Sequence, residues 1–218
     1  MTAMILSAGM GKRMRPLTNN VPKPLLEVGG KPLIVWHIER LKEAGFTDIV
    51  INVAYLGQKI IDYLGDGSQF GVKIYFSDEQ EEGALETAGG IVKALPMLSE
   101  TFLVVNGDVW TDYPFNARFK LDEDIEAHLI VVDNPKHNLK GDFSLFEGSE
   151  KYTFSGIGYY SKQLFDTVEY GRQALAPLLF NAIEAKKLTT EYYSGTWYDI
   201  GTPERLEVLN RLKSTNFS

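Results

Sequence analysis

The residues best suited to chemistry lie close to the N-terminus. A short apolar run at residues 3–6 predicts a buried strand, and it leads into a segment that contains Gly9 and Gly11. The same segment carries four basic side chains, which are Lys12, Arg13, Arg15 and Lys23. Glycines let backbone N–H groups approach a ligand closely, and the cations neutralise an anion. This combination predicts a loop that binds a chain of phosphates.

Neither of the two common phosphate-binding motifs fits this loop. The dinucleotide fingerprint G-x-G-x-x-G requires a third glycine where this chain has Met14. The P-loop G-x-x-x-x-G-K-[ST] requires Ser or Thr after Lys12, where the chain has Arg13, and a further glycine before Gly11. These differences argue against a simple dehydrogenase and a simple kinase.

Two aspartates are candidates for a metal site. Asp108 follows an apolar run at 101–106, and Asp199 lies just before the last predicted helix. Ligands of a parallel sheet bind beyond the carboxyl ends of its strands, and a carboxylate near a polyphosphate suits Mg²⁺. Each aspartate alone is equally typical of a turn or a helix entry, so the indication comes from the pair.

The elements that must position these residues alternate between strand and helix in the first half of the chain. The predicted strands there are 3–6, 48–53, 72–76 and 101–106, and the predicted helices are 32–44, 57–64 and 87–95. This order predicts an α/β fold with a mainly parallel, Rossmann-like sheet flanked by helices. The less regular second half would build the other wall of a cleft, with predicted strands 128–132, 152–160, 188–193 and 195–200 and helices 175–187 and 203–213.

Composition limits the partners. The chain has 218 residues, 44% hydrophobic, and a formal net charge of −7, which argues against nucleic acid and favours a small anionic ligand at the local basic segment. It has no cysteine, which excludes disulfides and thiolate metal sites. Without a signal-peptide pattern or an apolar stretch of ~18 residues, we expect a cytoplasmic location and no membrane partner. The oligomeric state stays open.

Four segments resemble the motifs of the sugar-phosphate nucleotidyltransferases. They are Leu6-Ser7-Ala8-Gly9-x-Gly11-x-Arg13-Met14-Arg15-Pro16-Leu17-Thr18, Pro22-Lys23-Pro24-Leu25, Asn106-Gly107-Asp108 and Trp197-Tyr198-Asp199-Ile200-Gly201-Thr202. The resemblance implies the nucleotide-diphospho-sugar transferase fold, in one domain spanning 1–218. Residues 1–110 would form the nucleotide-binding half, and residues 111–218 the sugar-binding half, with a C-terminal sugar-binding lobe.

The resemblance also implies a role for each matched residue. Arg13 would hold the β- and γ-phosphates, and Lys23 would contact the α-phosphate and the sugar phosphate, which makes these two the catalytic candidates. Mg²⁺ is the implied cofactor, with Asp108 and Asp199 as its ligands. The implied nucleotide-binding set is Leu6, Ala8, Gly9, Gly11, Arg13, Lys23, Glu81, Glu86, Thr87 and Asn106.

Base and sugar recognition are less firmly implied. Glu81 would accept the N3–H of uracil or thymine, or equally the N–H groups of guanine, so this segment does not decide the base. The alternative for residues 79–82 is an exposed acidic turn. The implied sugar-binding set is Lys140, Gly141, Asp142, Ser155 and Gly156. A lactyl carboxylate on the sugar would need a cation, for which Lys136, His137 and Lys140 are candidates. Glu150-Lys151 does not align with the Glu-Lys pair of glucose-specific relatives, so the lysine for the sugar phosphate stays open.

Within the family, the segments 51–57, 85–90, 105–112, 133–135 and 141–143 are most similar to the uridylyltransferases that act on N-acetylmuramate 1-phosphate in peptidoglycan recycling. This similarity implies a reaction of UTP with that sugar phosphate and release of pyrophosphate. The alternatives are a glucose-1-phosphate thymidylyltransferase or a mannose-1-phosphate guanylyltransferase. A further alternative is a non-catalytic regulatory subunit that binds nucleotide sugars.

Overall fold

The computed structural model describes residues 1–146 and 148–215. The strands are β1 (Thr2–Leu6), β2 (Glu27–Val28), β3 (Lys31–Pro32), β4 (Asp48–Val53), β5 (Lys73–Asp78), β6 (Thr101–Asn106), β7 (Val109–Thr111), β8 (Ala127–Val132), β9 (Phe143–Ser144), β10 (Lys151–Ser161), β11 (Leu188–Tyr192) and β12 (Trp197–Asp199). The α-helices are α1 (Leu33–Glu43), α2 (Gly57–Leu64), α3 (Glu86–Ala94), α4 (Ala176–Glu184) and α5 (Pro203–Thr215).

The central sheet has the strand order β11-β8-β10-β6-β1-β4-β5, with β9 paired to β10. β1 pairs in parallel with β4 and β6, and β4 pairs in parallel with β5. β10 is antiparallel to both β6 and β8, and β11 is parallel to β8. The parallel half therefore gathers the carboxyl ends of β1, β4 and β6 at one edge, where ligands of such sheets bind.

Helices cover both faces of the parallel strands, because successive side chains of a strand point to opposite sides. Ala3 and Ile5 of β1 belong to the same buried cluster as Ile38 of α1. Met4, between them, is in a second cluster with Ile91 of α3. This burial on both faces explains why β1 is apolar throughout. Within residues 1–146 and 148–215, no helix is both long and apolar enough to cross a bilayer.

A separate two-stranded ladder of β7 and β12 joins the two halves of the chain. Asp199 lies opposite Val109, and the Ile200 N–H donates to the Asp108 carbonyl at 2.9 Å. Helix α5 begins soon afterwards at Pro203, a residue that suits the first turn of a helix. The ladder therefore brings the backbones of Asp108 and Asp199 side by side.

The predicted α/β fold with a mainly parallel, helix-flanked sheet is confirmed, and strands 48–53 and 101–106 and helix 57–64 have the predicted bounds. Several other details differ. β10 enters the sheet antiparallel to β6. The predicted helix 175–187 ends at Glu184, because Lys186 adopts a left-handed φ of +58°. The hairpin of β2 and β3 was not predicted, and its turn uses Gly29 and Gly30 at φ +59° and +75°, as a two-residue hairpin requires.

Candidate active site

A cleft of about 380 Å³ opens at the carboxyl ends of β1, β4 and β6, and we call it the first cleft. Asp108 and Gly201 line it. All but one of the predicted nucleotide-binding residues also line it, and these are Leu6, Ala8, Gly9, Gly11, Arg13, Lys23, Glu86, Thr87 and Asn106. The structure thus brings the glycine loop, three of its four cations (Lys12, Arg13 and Lys23) and one predicted metal ligand into the same cavity.

Close packing fixes the shape of the glycine loop. Gly11 has a φ of +59°, and a Cβ there would lie 2.9 Å from the methyl group of Thr18. The Thr18 hydroxyl donates to the Gly11 carbonyl at 2.7 Å. At Gly9, by contrast, no described atom lies within 4 Å of a Cβ position. Gly11 is therefore required by the fold of the loop, whereas Gly9 leaves backbone open to a ligand.

Asn52, at the end of β4, ties the glycine loop to the segment before α3. Its Oδ1 accepts from the Ser7 N–H at 2.8 Å, and its Nδ2 donates to Glu79 Oε1 at 2.8 Å. The other oxygen of Glu79, Oε2, accepts from the Leu85 N–H at 2.9 Å. The exposed acidic turn considered from the sequence is wrong for Glu79, which is fully buried, and this burial raises the pKa of its carboxyl group.

The segment predicted to recognise the base divides between the cleft and the surface. Glu86 and Thr87 line the first cleft, and the Glu86 backbone has a left-handed φ of +62°. Arg172 Nε lies 2.8 Å from Glu86 Oε1. Glu81, in contrast, is exposed and lies outside the cleft lining, because the chain turns outward between Gln80 and Gly83. The structure therefore does not bring Glu81 to the other predicted nucleotide-binding residues.

Lys23 and Asp108 form an ion pair in the first cleft. Lys23 Nζ lies 2.9 Å from Asp108 Oδ2, and the lysine side chain is only 11% exposed. Pro22 and Pro24 flank the lysine and fix the backbone φ on both sides of it. A Cβ on Gly107 would lie 2.5 Å from the Leu6 carbonyl oxygen, so the turn that carries Asp108 packs directly on β1. This packing fixes the acid relative to the glycine loop.

Asp199 lies beside this pair and has cationic partners of its own. Its Oδ2 lies 2.6 Å from Arg205 Nη1 and 3.0 Å from His137 Nε2. A Cβ on Gly201 would lie 3.0 Å from Asp199 Oδ1 and 3.5 Å from Arg13 Nη2, so the acid and the Arg13 guanidinium meet around one point. Asp108, Lys23 and Arg13 therefore line the first cleft, whereas Asp199 lies outside its lining, beside Gly201.

A second cleft of about 460 Å³ lies on the other side of Asp199. Asp199 lines it together with His137, Trp197, Arg205 and other residues of the C-terminal half. The Trp197 indole N–H donates to the Ser155 carbonyl at 2.8 Å, which fixes the ring. The two clefts adjoin at the backbone of Asp199 and Gly201.

All five predicted sugar-binding residues lie outside the linings of both clefts. Ser155 is fully buried and its hydroxyl donates to the Ile130 carbonyl, while Asp142 accepts from the Phe154 N–H at 2.8 Å. Lys140 is exposed. Gly141 and Gly156 have left-handed φ values of +64° and +79° and pack tightly on neighbouring atoms. These residues build the lobe, and the prediction that the side chains of Asp142, Ser155 and Lys140 contact sugar finds no support in their placement.

The His37 side chain is buried next to the start of β7, beneath this end of the site. It is 2% exposed, and burial lowers the pKa of its imidazole to about 4. The ring hydrogen-bonds the Val109 backbone, which directly follows Asp108. A neutral histidine is therefore part of the floor below the predicted metal ligand.

Comparison with known proteins identifies relatives along the whole chain. Residues 2–145 match the family model described as nucleotidyl transferase. The N-acetylmuramate alpha-1-phosphate uridylyltransferase of Neisseria meningitidis serogroup B is 53% identical over 222 residues, which cover 95% of this chain and 96% of that protein. The mannose-1-phosphate guanyltransferase of Saccharomyces cerevisiae is 34% identical over 94% of this chain, which spans 62% of the yeast protein.

Solved structures show the same fold at lower identity. An inositol-1-phosphate CTP transferase from T. maritima superposes with a TM-score of 0.76 at 22% identity, covering 98% of this chain and 94% of that one. A CTP:phosphocholine cytidylyltransferase from Streptococcus pneumoniae gives 0.75 at 24% identity, covering 97% and 98%. Together with the family match over residues 2–145 and the 53% identical relative, these findings show that the chain belongs to the nucleotidyl transferase family, as a sugar-phosphate nucleotidyltransferase.

Proposed function

We propose that this chain transfers the uridylyl group of UTP to N-acetylmuramate 1-phosphate and releases pyrophosphate, a reaction of peptidoglycan recycling. The observation that carries the proposal is the Lys23–Asp108 pair at 2.9 Å in the first cleft, beside Arg13 and Asp199. The choice of UTP and of the sugar rests on the 53% identity to the Neisseria uridylyltransferase. Residues 1–110 would bind mainly the nucleotide and residues 111–218 mainly the sugar.

In this reaction a phosphate oxygen of the sugar attacks the α-phosphorus of UTP. The new bond joins that oxygen to the α-phosphorus, and the bond from the α-phosphorus to the bridging oxygen breaks as pyrophosphate leaves. Both reactants are anions, so positioning and charge stabilisation supply most of the catalysis. Arg13 would hold the β- and γ-phosphates through its planar guanidinium, and Lys23 would move from Asp108 to the α-phosphate and the sugar phosphate.

The donor set fits Mg²⁺. Asp108 directly precedes β7, and Asp199 lies in β12 opposite Val109, so the two acids come from neighbouring backbone positions. Within residues 1–146 and 148–215, no group of three or more His, Cys, Asp or Glu side chains has metal-site geometry, so an ion here would depend on these two carboxylates. Mg²⁺ commonly uses one or two carboxylates and completes its shell with water and substrate phosphates. When bound, the ion would neutralise charge between the two phosphates. Asp108 and Asp199 would hold it, releasing Lys23 to the substrates.

The first cleft also offers groups to the nucleoside. The backbone around Gly9 is open, and Glu86 and Thr87 would face the base. Ser7 also lines this cleft, and the bond from its backbone N–H to Asn52 Oδ1 holds it in place.

Pyrophosphate release tests the proposal. The purified protein would be mixed with Mg²⁺, one of UTP, dTTP, GTP or CTP, and the 1-phosphate of N-acetylmuramate, N-acetylglucosamine, glucose or mannose. The expected result is fastest release with UTP and N-acetylmuramate 1-phosphate. Fastest release with dTTP and glucose 1-phosphate, or with GTP and mannose 1-phosphate, would replace the proposed substrates. No release with any pair would indicate a binding subunit without catalytic activity.

A matched pair of variants tests the metal assignment. Asp108→Asn should lower kcat by about a hundredfold or more, because several kcal/mol of charge stabilisation depend on the ion. Asp62→Asn is the control, since Asp62 lies exposed on α2, where it accepts a hydrogen bond from Gln58. Near-normal turnover of Asp108→Asn, with the control also normal, would remove Asp108 from the metal site.

A further inference from the structure

Arg205 lies near the point where the two clefts adjoin. It lies in the first turn of α5, lines the second cleft, and donates from Nη1 to Asp199 Oδ2 at 2.6 Å. Its side chain is 28% exposed, so part of the guanidinium faces the cavity. A guanidinium has five N–H donors in a planar fork, and one contact to Asp199 leaves donors that can bind a second carboxylate. Arg205 can therefore bind Asp199 and a ligand at the same time.

Among the described residues that line this cavity, Arg205 is the one side chain that always carries a positive charge. His137 is the neighbouring base, and Asp133, Asp199 and Glu204 are the acids. Asp133 accepts from the Tyr192 hydroxyl at 2.9 Å, and Asp199 is shared by Arg205 and His137. A sugar offers many hydroxyl donors to such acids, whereas an anionic substituent can be bound here by Arg205 and His137.

The cavity also has an apolar side next to these cations. Trp197 and Pro135 line it, and so does Val208, one turn after Arg205 on α5. The Val208 side chain is exposed, and the Trp197 ring is held by its bond to the Ser155 carbonyl. A small substituent with a methyl group and a carboxylate on the same carbon would meet an apolar surface and a cation at once.

We propose that Arg205, with His137 beside it, binds the carboxylate of an acidic ether substituent on the sugar and so selects N-acetylmuramate 1-phosphate over N-acetylglucosamine 1-phosphate. These two sugars differ only in the lactyl group. The inference rests on the proposed function, because it assigns a residue to one part of that substrate. It replaces Lys140, which is exposed and lies outside both clefts, as the cation for this group.

The test compares kcat/KM for the two sugar phosphates, with UTP and Mg²⁺, in the wild-type protein and in Arg205→Gln. Loss of the Asp199 contact affects both sugars alike, so the ratio of the two constants isolates the lactyl contact. Loss of a charged hydrogen bond predicts a roughly 10- to 100-fold fall in this ratio. Arg205→Lys should restore part of it, since a lysine keeps the charge but loses the fork.

A binding measurement and a control variant distinguish a structural effect from a binding effect. Isothermal titration with N-acetylmuramate 1-phosphate, in EDTA and without nucleotide, should show weaker binding by Arg205→Gln and unchanged binding of N-acetylglucosamine 1-phosphate. Arg211→Gln is the control on the same helix, where Arg211 pairs with Glu207 and lies outside the lining of the second cleft.

The possible failures are distinguishable. A wild-type protein that uses both sugars equally well refutes the proposed substrate, and the inference with it. A wild-type preference that persists undiminished in Arg205→Gln refutes the inference alone and reduces Arg205 to a partner of Asp199. An equal fall in both constants with an unchanged ratio has the same meaning.

Discussion

The Asn52 side chain fixes the position of the glycine loop relative to the segment predicted to recognise the base. It is 3% exposed and connects the Ser7 N–H to the Glu79 carboxylate, each at 2.8 Å. Asn52→Ala removes both bonds and leaves two buried polar groups without these partners. A neutral hydrogen bond contributes about 1 kcal/mol and one to a charged group about 1.5–3 kcal/mol, so we expect the free energy of unfolding to fall by roughly 2.5–4 kcal/mol.

This loss should depend on pH in a defined direction. Burial raises the pKa of the Glu79 carboxyl group in the folded state, so its contribution to stability is complete below the unfolded pKa and is lost as the pH rises through the folded pKa. Removing the Asn52 donor raises the folded pKa further, because that donor favours the charged form. The destabilisation by Asn52→Ala should therefore be larger at pH 8 than at pH 5.

Urea unfolding at both pH values, followed by tryptophan fluorescence, measures the difference. Asn181→Ala is the control, because Asn181 lies exposed on α4 and its loss should change stability by less than about 0.5 kcal/mol. The glycine loop also loses its anchor, so the variant should bind UTP more weakly, as measured by calorimetry. An Asn52→Ala protein as stable as the control, or one destabilised equally at pH 5 and pH 8, would refute this account of the network.

Three further outcomes follow from other contacts. Gly107→Ala should lower the melting temperature and weaken UTP binding, because its Cβ would lie 2.5 Å from the Leu6 carbonyl oxygen, whereas Gly9→Ala should keep a wild-type melting temperature. Burial lowers the pKa of His37 from 6.5 to about 4, so on acidification the unfolded chain takes up a proton before the folded protein does. This difference should make the protein about 2 kcal/mol less stable at pH 5 than at pH 7. In urea unfolding, His37→Gln should lose that part of the pH dependence. Lys23→Met should destabilise the protein by leaving Asp108 without its ion-pair partner, and adding Asp108→Asn should recover stability in thermal melts without recovering pyrophosphate release.

The sequence predicted those parts of the site that depend on local backbone chemistry. Gly11 must adopt a left-handed φ beside Thr18, and this requirement is visible as a glycine directly after a strand and loop. Lys23 is held between two prolines, which is equally local. Strand 101–106 is apolar because helices and strands cover it, so its bounds and the position of Asp108 after it followed from the pattern.

The parts that escaped prediction depend on contacts between distant segments. Asn52 interrupts an apolar run near the end of β4, which is a signal of a buried polar role, but its partners Ser7 and Glu79 are fixed only when β1, β4 and β5 align. Glu79 belongs to an acidic run and was indistinguishable by sequence from its exposed neighbours. Arg205 is one of several cations on an amphipathic helix, and only the β7–β12 ladder directs its turn of α5 toward Asp199.

The two acids predicted to bind the metal are each paired with a cation before any substrate enters, and this pairing shapes how the site can work. Asp108 pairs with Lys23, and Asp199 pairs with Arg205. Partly buried acids and cations are costly alone and tolerable as pairs, so the pairing lets both signs persist at the floor of a cleft. A divalent ion on the two acids and phosphates on the cations would exchange these partners without leaving a charge uncompensated. Each cation would then pass from a protein carboxylate to a substrate anion, and this exchange would make the binding of metal, nucleotide and sugar phosphate mutually dependent.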